Sequence, residues 1–150
     1  MQAQTRTIWL KVASDIVILF GLLTALAALS STAAPTSFLA DMIFWPVDGS
    51  QAIDTDVAHL LAAILGGVMT GWGVLLYLLT THLYPRDPKL AKMLISASLG
   101  TWFIVDGLGS IAAGAPLNAL YNLTFLALFF IPLWYPGSPS TIEPGNRQEA

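Results

Sequence analysis

The sequence predicts an all-α integral membrane protein: four transmembrane helices in an antiparallel bundle, with a short interfacial helix in the first, outer loop. Composition, apolar stretches and charge placement lead there. Hydrophobic residues fill 55% of the 150 positions and charged residues 10%, with a mean hydropathy of +0.69. A water-facing domain carries roughly 25% charged residues, so this chain has too few to cover such a surface. Four apolar stretches approach or exceed the length that crosses a hydrocarbon core of about 30 Å at roughly 1.5 Å per residue. The formal net charge of −3 says little, because the charges are segregated by position. The chain has no cysteine, which excludes disulfides, thiolate metal sites and iron–sulfur clusters.

The first predicted span covers 8–29. A cleaved signal peptide is the competing reading, with Arg6 and Lys11 as its basic region and Ser31-Thr32-Ala33 as the cleavage site. Asp15 beside the apolar region opposes it, so the segment is read as a retained helix. Within the following connection, Ser37 to Trp45 puts Phe38, Leu39, Met42 and Ile43 on one helical face, between Pro35 and Pro46. At 37–45 this helix is too short to span, and it is expected to lie in the interface with Trp45 at headgroup depth. A simple cover over the bundle is the plainer reading of the same residues.

Asp54-Thr55-Asp56 offers capping side chains for the second span, 57–83. That span holds Gly67 and Gly71 four apart, the small-residue spacing of close helix packing. Pro85 and Pro88 bound a polar turn before the third span, 90–112. The turn Ala113-Gly114-Ala115-Pro116 is so short that the third span and the fourth, 117–134, must form an antiparallel hairpin. Trp134 and Tyr135 read as an aromatic belt. Residues 1–135 thus form the transmembrane domain, and 136–150 a polar, Pro-, Gly- and Ser-rich tail expected to be flexible and cytoplasmic.

All six basic residues (Arg6, Lys11, Arg86, Lys89, Lys92 and Arg147) fall on one side of such a four-span chain. Asp41, Asp48, Asp54 and Asp56 fall on the other. By the positive-inside rule both termini are cytoplasmic, and in a bacterial inner membrane the acidic loop faces outward.

Asp106 is the first candidate site residue. It lies about eight residues before the hairpin turn and Asn122 about eight after it, so the two are expected at equal depth, with Asn118 one turn away on the same face. A carboxylate in the membrane costs roughly 2.5–3.5 kcal/mol unless paired, hydrated or protonated. An interhelical hydrogen bond that merely fixes the hairpin is the structural alternative, worth about 0.6–2 kcal/mol. Asp15 is a secondary candidate, with Lys11 four residues before it as an expected intrahelical ion-pair partner. A relay between the two carboxylates would have only Thr70 and Thr101 as intermediate steps.

Asp54, Asp56 and His59 share a spacing compatible with zinc or manganese, although capping carboxylates and a solvated histidine are the commoner readings, and no metal is predicted. His59 and His82 end opposite sides of one span and cannot share a haem. No catalytic triad, phosphate loop or basic nucleic-acid patch is present. Span aromatics including Trp72, Trp102 and Phe125, with Asp106, Asn118 and Asn122 as convergent polar groups, would suit an apolar ligand with one polar end: lipid, quinone or polyene.

The runs Trp102-Phe-Ile-Val-Asp106, Gly114-Ala-Pro-Leu-Asn118 and Gly66 to Gly73 resemble stretches in small, uncharacterised four-helix bacterial membrane proteins. The resemblance covers about the last two thirds of the chain and implies a fold and a membrane, with no activity. The function expected is non-enzymatic: an accessory or scaffold subunit of a larger membrane complex, in contact with lipids and with other subunits or itself, and holding a lipid-like or quinone-like ligand near Asp106. The alternative is a small oligomeric transporter or channel unit using Asp106 as its binding carboxylate. A membrane enzyme built on Asp54, Asp56, His59 and Asp106 is the third.

Overall fold

The protein is described by a computed structural model over residues 2–135; the tail expected at 136–150 lies outside the described residues. Helices α1 (Ala3–Leu26), α2 (Ala34–Phe44), α3 (Asp56–Leu78), α4 (Pro88–Ala112) and α5 (Pro116–Trp134) make up nearly all its regular structure. A short 3-10 turn, Ser30–Thr32, follows α1, and α3 runs on through a π turn, Leu79–Leu83. There is no strand among the described residues. Four helical segments are long and apolar enough to cross a membrane: Gln4–Leu26, Asp56–Leu83, Pro88–Ala112 and Pro116–Trp134.

Helix ends follow local chemistry more closely than hydropathy does. Helix α1 starts five residues before the predicted span and takes in the polar run from Gln4 to Thr7. It stops at Leu26, short of Leu29, where the Thr32 hydroxyl donates to the carbonyls of Leu26 and Leu29. Helix α2 begins at Ala34 rather than Ser37, with Pro35 in its first turn. Pro88 and Pro116 open α4 and α5 in the same way, because a first-turn residue needs no intrahelical N–H. Thr55 caps α3 by accepting from the Ala58 N–H, and Asp87 caps α4 by accepting from Leu90.

Helices α1 and α3 pack along each other closely enough to require glycine. A Cβ on Gly66 would fall 2.3 Å from the Ala25 nitrogen, one on Gly73 2.7 Å from Ile18 Cγ1, and one on Gly21 2.6 Å from the Thr70 nitrogen. The face is therefore Gly66, Thr70 and Gly73, one helical stripe meeting Gly21 and Ala25. Gly67 and Gly71, the pair predicted to pack, have nothing within 4 Å of a built Cβ. They sit about 100° further round the helix, on an exposed face.

The tight core lies toward one end. Leu10, Ala13 and Val17 of α1, Leu76 of α3, Ile95 and Leu99 of α4, and Phe129 and Leu133 of α5 are buried together. At this end Arg6 donates to the Tyr135 carbonyl (2.9 Å) and the Tyr84 hydroxyl (3.4 Å), tying the start of α1 to the ends of α5 and the π turn. Lys92 lies 5.5 Å from the Trp134 ring centroid. At the other end the Thr36 hydroxyl donates to the Leu23 carbonyl, and the Ser37 hydroxyl accepts from the Ile53 N–H, holding α2 across the helix ends. Below α2 the side chains do not fill the space.

Candidate functional site

The α4–α5 hairpin is set by its turn. Gly114 adopts φ +78°, its N–H reaches the Ile111 carbonyl (3.1 Å), and the Ala115 N–H reaches that of Ser110 (2.8 Å). This is the paired-bond stop that a left-handed glycine just past a helix end allows. Pro116 then starts α5 at once, so residues equidistant from the turn meet.

Asp106 faces both asparagines. Its Oδ2 accepts from Asn118 Nδ2 at 3.0 Å and from Asn122 Nδ2 in a close hydrogen bond. Asn118 Nδ2 also donates to Ser110 Oγ at 2.8 Å, a fourth member that the sequence reading missed. Ser110 sits one turn beyond Asp106 on α4, so helical spacing from Asp106 would have found it. Asn122 is buried at 7% exposure. Oδ1 of Asp106 accepts no hydrogen bond from the described residues and is left accessible.

Three spaces converge on that carboxylate. An inner cavity of about 320 Å³ is walled by Trp72, Trp102, Tyr121 and Phe125 and roofed by Leu39, Met42 and Ile43 of α2. A lateral cleft of about 920 Å³ lies between α3, through Leu65, Val68 and Met69, and α4, through Ala97, Thr101 and Val105. A notch at the end nearest α2 runs past Phe44, Ser110 and Asn118. Asp106 lines all three, and among the described residues it is the sole charged one to line any of them.

The cleft exists because the α3 and α4 backbones stay apart along most of their length: α3 packs on α1, α4 on α5, and α4 draws close at the π turn that follows α3. Trp72 and Trp102 bridge the gap, with centroids 5.4 Å apart, while Trp72 Nε1 donates to Ser98 Oγ at 2.7 Å. Trp102 continues to Phe125 (6.4 Å) and Phe125 to Phe20 (5.5 Å), edge to face. Trp102, named from sequence as a pocket residue, lines both the cavity and the cleft.

Helix α2 splits its apolar residues. Leu39, Met42 and Ile43 turn inward over the cavity, whereas Phe38 and Trp45 are exposed.

Other sequence candidates end elsewhere. Asp15 is exposed and makes no ion pair with Lys11, whose Nζ sits 5.6 Å from the Tyr77 ring centroid instead. The order Lys then Asp at four residues is the weaker one on a helix, and Tyr77 offers an aromatic face. His59 is used at both nitrogens. Nδ1 is 2.7 Å from the Ala27 carbonyl, to which it must donate, and Nε2 is 3.1 Å from Ser30 Oγ. It joins the end of α1 to the start of α3, and with Asp54 and Asp56 it forms no metal-holding group among the described residues.

Asp41 is the acid that sequence reasoning undervalued. It is 3% exposed, and its oxygens accept from the Gly49 N–H (2.6 Å) and the Gln51 N–H (3.2 Å), shaping the loop behind α2. Asp48, fully exposed, has its carboxyl held below its ordinary value by the Ser50 hydroxyl and N–H. That favours the folded loop at neutral pH and is lost as pH falls through the lowered value.

Comparison with known proteins returns no relative: no family model matches the chain, and no curated protein or solved structure matches it significantly.

Proposed function

We propose that this chain is a four-helix integral membrane protein, non-enzymatic, that holds a lipid-like guest beneath α2 with its polar end at Asp106. The observation that carries this reading is the accessible Oδ1 at the junction of an aromatic cavity and an apolar cleft. Cavities of about 300–1,000 Å³ with apolar walls and a few convergent polar groups are the usual form of small-molecule sites. The cleft opens sideways between two spans, where a molecule dissolved in the bilayer would enter. In this reading the bundle is antiparallel, α2 lies along the outer interface, and both termini are cytoplasmic in a bacterial inner membrane. Arg6, Lys11, Arg86, Lys89 and Lys92 at one end, and the acidic loop at the other, support that orientation. The protein would serve as an accessory subunit of a larger membrane complex, carrying or sensing its guest.

A second reading, a small oligomeric transporter, is favoured by one feature: Asp106 borders both the lateral cleft and the outer notch. A carboxylate reached from two sides is what a binding site with alternating access needs.

The test uses a variant with Trp9, Trp45 and Trp134 replaced by Phe, so that Trp72 and Trp102 alone emit. In dodecyl maltoside, 12-bromododecanol should quench them saturably. Quenching that rises linearly without saturation, as for bulk contact with the micelle, would contradict a bound guest.

A further inference from the structure

The guest's head can be specified further, given the binding reading above. We infer that the site selects an amphiphile headed by a protonated amine and free of phosphate, its ammonium on Asp106 Oδ1 and its chain in the α3–α4 cleft. The lining groups point to that chemistry. Asp106 is an acceptor in both of its hydrogen bonds, and its remaining oxygen is an acceptor too. Asn118 Nδ2 spends its two hydrogens on Asp106 and Ser110, and Asn122 Nδ2 spends one of its two on Asp106. A quinone or keto-polyene would bring carbonyl oxygens to a carboxylate oxygen, acceptor against acceptor. An ammonium brings donors and a compensating charge, and charge-assisted bonds are the stronger kind.

The walls agree. Trp72, Trp102, Phe125 and Tyr121 surround the same space, and indole faces attract cations best when desolvated. Among the described residues no Lys, Arg or His lines the cavity, the cleft or the notch, so an anionic head or a phosphate beside the amine would enter without a cationic partner from them. Asp106 is half-buried with one oxygen unpaired by the described residues, and a cationic guest would offset the cost of removing that oxygen from water.

The experiment is competition against 12-bromododecanol on the two-tryptophan protein in dodecyl maltoside at pH 7, with dodecylamine, dodecanol and sodium dodecyl sulfate below denaturing concentrations. Dodecylamine should displace the quencher at least about tenfold more tightly than dodecanol, and dodecyl sulfate should not displace it. In Asp106→Asn the amine preference should shrink to within about twofold. Equal affinity of amine and alcohol in the unaltered site, or a preference for the sulfate, would overturn the amine assignment while leaving a bound guest intact. Phosphatidylethanolamine carries the same ammonium next to a phosphate and should compete no better than dodecanol; competition equal to dodecylamine would overturn the exclusion of phosphate. Should Asp106→Asn fail to fold, the head-group series on the unaltered site decides alone. No saturable quenching by any of them would sink the binding reading itself.

Discussion

Asn122 on α5 and Asn118 one turn before it donate to the same oxygen of Asp106 on α4, leaving the second oxygen without a partner among the described residues. The hairpin thus uses one half of the carboxylate for structure and presents the other half. Asn122→Ala should lower unfolding stability by about 1–2 kcal/mol in mixed-micelle denaturation, since a buried donor to a carboxylate is lost. Asn122→Asp should cost more, because it sets a second carboxylate against the first.

The α1–α3 seam makes an unequal prediction for four glycines. Gly66→Ala and Gly73→Ala push a methyl into the backbone or side chain of α1 and should destabilise by at least about 1–3 kcal/mol. Gly67→Ala and Gly71→Ala meet nothing and should be neutral, or more stable by up to about 1 kcal/mol. Thermal unfolding of the four single variants in one detergent checks the ranking.

Asp41 holds the loop behind the roof of the cavity. Asp41→Ala leaves the Gly49 and Gln51 N–H groups without their partner and should cost about 2–3 kcal/mol locally. Faster hydrogen exchange should appear across 46–53 and α2, with α4 and α5 unaffected. Guest quenching at Trp72 and Trp102 should weaken as well, because α2 roofs their cavity.

How much of this was readable in the residues depends on what fixes each feature. The Asp106–Asn122 contact was readable because a minimal turn at Gly114 sets the register of two regular helices, and equal offsets then mean equal depth. The glycine seam was misread because two small-residue stripes lie side by side on α3, and only the neighbouring helix distinguishes Gly66 from Gly67. The role of Asp41 was hidden because its partners are backbone groups of an irregular loop, which carry no side-chain signature. The cleft was beyond reach for a related reason: it is a missing contact between α3 and α4, and periodicity reports only where a helix is apolar. Lys11 turned to Tyr77 rather than Asp15, a choice made by a helix far away in the chain.

Orientation is open to a direct check, since the chain has no native cysteine to remove. Ser50→Cys should react with a membrane-impermeant maleimide added to intact cells, and Lys89→Cys only after the membrane is breached. The reverse pattern would contradict the inward placement of the basic end.

The central claim, a guest in the α3–α4 cleft reaching Asp106, is tested most directly by native mass spectrometry of the protein gently extracted from its own membrane. Val68 lines the cleft and is 66% exposed, so Val68→Trp should fill the entrance without touching the core. The account predicts a discrete non-protein adduct on the unaltered chain, lost or sharply reduced in Val68→Trp. A bare mass for the unaltered chain, or an adduct equally abundant in the filled variant, would contradict it.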